Sequence, residues 1–509
     1  MRRTSVSFAA ALATLAAVAG VAAAPNGLTG DAARASRARD AITELDVTAG
    51  RRILEGASST DGLLSIEQGR LALYAGDYDG AARILGRADL AATAEGAELG
   101  DVARGAARSM SAALVLDDAA SGVTIRLQDD ADRALAPLLA LTASRVREQL
   151  VKDLGVELPR PLHVDVVRDQ FSLAAMTGLP EQAAQTTGTV AIAKWGRVTM
   201  VSPRATYRGY PWLDTLAHEM THLALSRGTR DKAPLWLQEG VAKREETRWR
   251  DVEPLDDVPA VDAIAAAGIE KGLGRSLDKL GPSIAMLPTA EQAQVAFAEV
   301  QSFVRYYIKE QGDDALVKLV AAIKANDGPN GLEESIKALS GLDFVGWDKK
   351  WRAHITGAGR DLPPDLAPGA DVPHAREVAR RVRLGELLHG RGHDVGAAIE
   401  FEKAHATVAF DASIRAYLGE ALLANDERDK AAALFATPEE LHGKQGRWWS
   451  LRAMLAAEGD EAERAIRMAV ELDPLDPHVA CEERDPPKVP LDSIRAAICE
   501  AARVAPPFD

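Results

Sequence analysis

His218, Glu219 and His222 are the residues whose types and spacing point to chemistry. They lie in the stretch 210–246, YPWLDTLAHEMTHLALSRGTRDKAPLWLQEGVAKREE. On a helix, residues four apart share one face, so both imidazoles can aim at one metal ion. Glu219 sits about 100° further round, near the ion without being forced to ligate it. That position suits a general base that takes a proton from a metal-activated water.

The flanking residues predict that helix. Pro211 suits a first-turn position, where no backbone N–H is needed. Asp214 puts negative charge in the first turn, where the helix dipole favours it. Leu213, Leu216, Ala217, Met220, Leu223 and Ala224 form an apolar stripe at helical spacing. Gly228 is read as the stop just past the helix.

Two histidines leave a zinc site incomplete, because catalytic zinc takes three protein ligands plus water. Glu239 lies twenty residues past Glu219, in Pro234-Leu-Trp-Leu-Gln-Glu239-Gly-Val-Ala. Pro234 can open a second helix with Glu239 about one turn in. Two short helices joined by a tight link can pack side by side and bring Glu239 to the metal. A solvated helix carboxylate is the alternative, and the apolar flanks argue against it, since an unpaired buried Glu is costly.

HEMTH followed by PLWLQEGVA resembles the gluzincin branch of zinc metallopeptidases, specifically the bacterial peptidase MA-like domains. The resemblance runs from about Gly122 to Ile355 and is strongest over 210–246. It implies one zinc per chain, held by His218, His222 and Glu239, with Glu219 activating water. It also implies a helix, a small mixed sheet and then the metal helix, with an edge strand beside the metal that can pair with an extended substrate. Residues 188–201 are the candidates for that edge.

The sequence departs from the family's pattern at two places. The family places a tyrosine near the slot held here by Phe297, so a hydroxyl for the oxyanion is missing there. Tyr306 and Tyr307, in QSFVRYYIKE, are the candidate oxyanion donors, against the plain reading of each as core. Many gluzincins carry an acidic residue four positions past the third ligand, where it orients a ligand histidine. Here that position is Lys243. Asp214, one turn before His218, and Glu246, two turns past Glu239, are the candidate substitutes. His163 sits in a strand and reads as structural.

The elements that must position these residues give a mainly α fold with a small mixed β-sheet, an α+β class. Strands are read at 123–127, 161–167, 189–193 and 197–201, with a long helix at 132–154 and a short one at 171–176. Helices follow the metal stretch at 291–311, 313–325 and 331–339, and Trp347 and Trp351 pack a last one. The mixed segment 250–290 borders the cleft.

With 509 residues, more than one core is expected. A net charge of −15 argues against a nucleic-acid binder and against attraction to anionic lipid. Residues 1–24 read as a signal peptide: Arg2 and Arg3, an apolar run from Phe8 to Val21, then Ala22, Ala23 and Ala24 as cleavage sites. No other apolar run is long enough to span a membrane, so an exported protein, periplasmic or secreted, is expected. Cys481 and Cys499 could then form a disulfide or stay as two buried thiols.

Residues 25–120 read as an N-terminal helical region. Residues 31–58 look helical. Gly69, Gly76, Tyr78, Ala81 and Ala88 then fall at the spacing of a tetratricopeptide repeat. The metal domain is read as 121–358, and 359–371 as a Pro/Gly-rich linker. Over 372–509, Gly385, Ala397 and Phe401 recur as Gly419, Ala431 and Phe435, 34 residues on. A degenerate third unit runs from Trp448 to Pro474. His389 and His393 share a helical spacing but lack a third ligand, and His405 is isolated. Such repeats offer a groove for a protein partner.

The sequence thus reads as an exported zinc metallopeptidase acting on protein or peptide. The alternative is a helical-repeat scaffold whose peptidase-like domain is inactive, with Phe297 and Lys243 in its favour and Glu219 against it.

Overall fold

The structure, a computed structural model, describes residues 30–504 apart from 59, 181–188, 206–209, 253–255, 258, 278–279, 281–283, 285–286, 329–330, 359–361, 363–367, 369–373, 410, 437–445, 457, 475–480 and 482–490. The leader read at 1–24, residue 188 of the expected edge, and the linker at 359–371 except 362 and 368 lie outside the described residues.

The fold is mainly helical around one five-stranded mixed sheet, the α+β class expected. It begins with α1 (Gly30–Thr43), α2 (Val47–Leu54), α3 (Gly62–Tyr74), α4 (Tyr78–Leu85), α5 (Ala88–Ala91) and α6 (Ala94–Ser109). The helix read over 31–58 is in fact two. Leu45 leaves the helical region at φ 62°, and the Asp46 side chain caps α2 by accepting from the Ala49 N–H at 2.8 Å.

The sheet follows, with β1 (Leu114–Asp118), β2 (Val123–Leu127), β3 (Leu162–Val167), β4 (Ala191–Lys194) and β5 (Arg197–Val201) in the order β1-β2-β3-β5-β4. β2, β3 and β5 are parallel, and β1 and β4 run antiparallel at the two edges. β1 lies in the stretch read as helical. Its burial alternates, with Leu114, Leu116 and Asp118 half-buried and Val115 and Asp117 exposed, but its Leu-Val-Leu-Asp-Asp run does not alternate apolar with polar. The expected edge at 188–201 narrows to β4, because β5 sits between β3 and β4.

Side chains alternate across the sheet and meet helices on both faces. On one face Ile125, Val164, Val166, Val198 and Met200 share a core with α7 (Ala136–Leu154) and α9 (Trp212–Thr229). On the other, Val167 and Val201 pack with Leu73, Tyr78, Leu99 and Val102 of the N-terminal helices and with Leu173 and Met176 of α8 (Gln170–Thr177). A buried polar knot joins these layers. The Tyr78 hydroxyl donates to Asp165, which also faces Arg126 at 3.5 Å and Arg197 at 3.3 Å. Removing that hydroxyl would leave a buried carboxylate short of a donor, a loss of about 1–3 kcal/mol.

Beyond α9 come α10 (Leu235–Glu245), α11 (Val261–Glu270), α12 (Ala290–Gln311), α13 (Ala315–Ala325), α14 (Gly331–Ser340) and α15 (Phe344–Ile355). Trp347 and Trp351 are fully buried and hold α15 in place, with the Trp351 indole donating to Ser302 at 2.8 Å. The C-terminal helices are α16 (Ala375–His389), α17 (Asp394–Thr407), α18 (Ala412–Ala424), α19 (Arg428–Leu434), α20 (Gly446–Leu455), α21 (Asp460–Leu472) and α22 (Ser493–Val504).

The same close contact recurs in three hairpins. A Cβ on Gly69 would lie 2.5 Å from Leu85, on Gly385 2.5 Å from Phe401, and on Gly419 2.7 Å from Phe435. Only glycine lets each helix pair approach that closely.

The chain end returns to the sheet domain. Cys481 and Cys499 form a disulfide, and with Ile498 they join the large core that also contains Trp212, Leu216 and Met220. Leu472 at the end of α21 accepts a backbone hydrogen bond from Tyr210, just before α9, at 3.1 Å. No helix among the described residues is long and apolar enough to cross a membrane.

Candidate metal centre

The metal helix α9 starts at Trp212, with Pro211 as its N-cap, and buries its apolar stripe against α7 and the sheet. It runs past the expected stop at Gly228. Thr229 is its last residue, and Arg230 takes the left-handed conformation at φ 55°. Gly228 serves packing instead, since a Cβ there would sit 2.6 Å from Val156 and 2.8 Å from Val320.

α10 follows a short link and begins behind Pro234, which serves as N-cap. Gly240, next to Glu239, sets how close it lies to α12, because a Cβ there would be 2.5 Å from the Val300 carbonyl oxygen. The opposite flank of α10 is tied to α7. Asp153 meets Arg244 at 2.9 Å and also pairs with Arg248. Burial works against the Asp153 carboxylate, but the hydrogen bonds from Arg248 and Gln149 and the two arginine charges bring it down to about 2.

These two helices bring three donor atoms together. His218 Nε2 and His222 Nε2 are 3.1 Å apart, Glu239 Oε2 is 3.4 Å from the first, and 3.7 Å from the second. A tetrahedral ion with ordinary metal–nitrogen distances spans edges of roughly 3.3 Å, so the triangle fits one ion. Two imidazoles and a carboxylate are also a donor set that zinc accepts. Among the described residues no other group of three or more His, Cys, Asp or Glu converges this way.

The electrostatics match that convergence. Burial pushes the His218 imidazole down, but hydrogen bonds to Glu239 and Glu246 and the nearby carboxylate charges outweigh it and raise it to about 10. Burial likewise opposes the Glu239 carboxylate. His222, His218 and Lys243 overcome that and hold it below its ordinary value. The shifts are mutual: the carboxylates favour the charged His218 imidazole, and the histidines and Lys243 favour the charged Glu239 carboxylate.

Glu246 lies behind His218. Its Oε1 is 3.0 Å from His218 Nδ1, the nitrogen turned away from the other donors. Asp214, the other candidate for that place, is engaged elsewhere. Arg250 holds it through two hydrogen bonds of 3.0 and 2.9 Å, and the Trp249 indole donates to it at 3.1 Å. Neither Trp249 nor Arg250 was singled out from the sequence.

Glu219 is buried beside the open edge of the sheet. Its Oε2 accepts from the Ala193 N–H of β4 at 2.6 Å, and Oε1 has no hydrogen-bond partner among the described residues. The Val201-to-Val190 backbone bond makes 190 and 201 a hydrogen-bonded pair, so the backbone groups of Ala191 and Ala193 point outward to the free edge. A backbone donor leaves no trace in a list of reactive side chains, so reading side chains alone could not find Ala193.

Tyr306 and Tyr307 lie elsewhere. Tyr306 stacks on His354 at 4.7 Å between ring centroids, and Tyr307 meets Trp347 edge-on at 5.0 Å. Both are buried in the core of the helical lobe, and neither contacts the His–His–Glu cluster among the described residues. Phe297 and Lys243 do meet each other, with the Lys243 ammonium 5.2 Å from the Phe297 ring centroid and 2.5 Å from Glu246 Oε1. His163 is packed under Arg126 at 3.4 Å, and burial together with that charge pushes it down to about 4. His389 pairs with Asp394 at 2.6 Å, and His393 is the N-cap residue of α17. His405 is pushed below its ordinary value by burial and by Arg415.

Residues 142–357, under half of the chain, match the family model described as the Peptidase MA superfamily. No curated protein and no solved structure matches. The matched segment contains α9, α10, β4 and the helical lobe, and thus every residue of the His–His–Glu cluster. Residues 142–357 form a metallopeptidase-like domain of the Peptidase MA superfamily, and a peptide is its implied substrate.

Proposed function

We propose that the chain is an exported, zinc-dependent peptidase with one zinc per chain held by His218, His222 and Glu239. The observation that carries this is the triangle of converging donors on α9 and α10, with Glu219 one residue from the first ligand and itself held in place. When bound, zinc supplies Lewis acidity, which lowers the pKa of a coordinated water and polarises the scissile carbonyl. Glu219 takes the proton of the attacking water and passes it to the leaving amine. Its fixed Oε2 keeps the carboxylate oriented, and Oε1 is the oxygen able to take the proton. Glu246 orients His218 through Nδ1, so that Nε2 faces the ligand position.

The outward backbone groups of Ala191 and Ala193 suit an extended substrate added to β4. The Ala193 N–H is already given to Glu219, which leaves the Ala193 carbonyl and the backbone of Ala191 to hold the substrate strand. Stacked repeats of a tetratricopeptide-like C-terminal region would offer a groove for a protein partner. The leader read at 1–24 supports export, and so does the Cys481–Cys499 disulfide, since disulfides persist in oxidising compartments.

Metal analysis of the wild type and of His222→Ala, with hydrolysis of an unfolded protein before and after chelation, tests the reading. One zinc per chain in the wild type, its loss in the variant, and hydrolysis that chelation stops and zinc restores are expected. A wild type without zinc, or hydrolysis that survives complete chelation, contradicts it.

A further inference from the structure

The two departures from the family's pattern, Lys243 and Phe297, touch each other beside the candidate metal centre. Lys243 occupies the place where an acidic residue would orient a ligand histidine. Its ammonium instead meets Glu246 Oε1 at 2.5 Å, and that same oxygen is 3.0 Å from His218 Nδ1. We infer that Lys243 is a positioning residue for the metal site: backed by Phe297, it holds the Glu246 carboxylate where Glu246 fixes the His218 ring. The inference rests on the zinc reading above.

Three observations support it. Glu246 is the C-cap residue of α10, and a carboxylate at a helix C-terminus faces the negative end of the dipole. Lys243, three residues back in the last turn, supplies an offsetting charge and also contacts Glu246. Second, the Phe297 ring attracts the ammonium through its face and offers no competing acceptor, so the charge is directed to Glu246. A tyrosine at this position would add a hydroxyl able to compete for it. Third, α12 holds the backbone of Lys243 as well as its head, because Gln301 donates to the Lys243 carbonyl at 3.3 Å. Phe297 and Gln301 on α12, Lys243 and Glu246 on α10, and His218 on α9 thus form one line of contact across three helices.

The alternative role for Lys243 predicts the opposite sign. A positive charge that merely lies near a cation site repels the cation, and its removal would tighten metal binding. A positioning residue loosens the site when removed, because Glu246 loses its contact with Lys243 and holds the His218 ring less firmly.

Zinc affinity by competition with a chromophoric chelator separates the two in the full chain. Glu246→Gln should weaken zinc about 10- to 100-fold and Lys243→Met about tenfold, since partners behind a ligand typically carry effects of that size. Lys243→Arg should restore most of the affinity. Lys243→Met should add no further loss in a Glu246→Gln background. Phe297→Leu, which keeps the site apolar without the ring face, gives a second route should Lys243→Met fold poorly. It should weaken zinc in the wild type and have no effect beside Lys243→Met. With cobalt(II) in place of zinc, the visible absorption bands should shift in Lys243→Met and return in Lys243→Arg. Lys243→Met that binds zinc as tightly as wild type or tighter, or losses that add with Glu246→Gln, overturns the inference while a zinc-binding wild type leaves the function standing. A wild type that binds no zinc removes both.

Discussion

Gly240→Ala adds one methyl group next to the third candidate ligand and should cost zinc affinity without touching a ligand. Its Cβ would lie 2.5 Å from the Val300 carbonyl oxygen and 2.8 Å from Val304 Cγ2. The first neighbour is backbone inside the long helix α12 and cannot swing aside. Relief to ordinary van der Waals contact requires α10 to back away by about 1 Å, at an overpacking cost of about 1–3 kcal/mol. Glu239 moves with α10, whereas His218 and His222 stay on α9. The Glu239 edges of the donor triangle, 3.4 and 3.7 Å, then change while the His218–His222 edge holds, and the triangle departs from the shape a tetrahedral ion needs. If half to all of that cost appears in metal binding, affinity falls by about twofold to about a hundredfold, at 1.4 kcal/mol per tenfold. Chelator competition reads the affinity, and thermal unfolding of the zinc-free chain reads the stability. Gly419→Ala is the control. Its Cβ would press on Phe435 at 2.7 Å, far from the centre, so stability should fall and zinc affinity should hold. Gly240→Ala with zinc affinity equal to wild type would refute the reasoning, because Glu239 would then not depend on the α10–α12 contact.

Other perturbations follow from the same structure. Cys481→Ser opens a disulfide spanning 18 residues and should lower unfolding stability by about 3 kcal/mol; a thermal midpoint equal to wild type under oxidising conditions would show the bridge to be idle. His163 is held down to about 4 by burial and Arg126, below an ordinary value of 6.5. Between those values the unfolded chain binds a proton that the folded chain refuses, so stability is full above pH 6.5 and is lost as pH falls toward 4. The loss amounts to up to about 3 kcal/mol. His163→Gln should flatten that limb in denaturant titrations of the zinc-free chain, and an unchanged pH slope would contradict the assignment.

What could be read in the sequence was what depends on local order. The four-residue spacing of His218 and His222 and the apolar stripe around them specify one helical face, and α9 follows from them. The helices of the metal lobe were legible for the same reason, as were the paired glycines and aromatic residues 34 apart. Long-range contacts decided the rest. Asp214 and Glu246 were equal candidates on spacing. Arg250 and Trp249 take Asp214, whereas the end of α10 carries Glu246 to His218. Gly228 and Gly240 look alike as helix punctuation, yet each is set by a neighbour from a distant element. β1 was hidden because apolar Val115 shares its exposed face with Asp117, so the residue types do not follow the alternating burial. The docking of the N-terminal helices on the back of the sheet hangs on Tyr78 and Asp165, 87 residues apart, which no periodicity reports.

The most direct test of the account is hydrolysis by two zinc-loaded proteins, the wild type and Glu219→Gln, on an unfolded protein substrate. Cleavage by the wild type is expected, with a rate lower by about 10²–10⁴-fold in the variant and one zinc retained in both. Cleavage at equal rates would contradict it by removing Glu219 from the chemistry. Zinc-loaded wild type that cleaves no unfolded protein would contradict it by leaving the metal centre without the activity assigned to it.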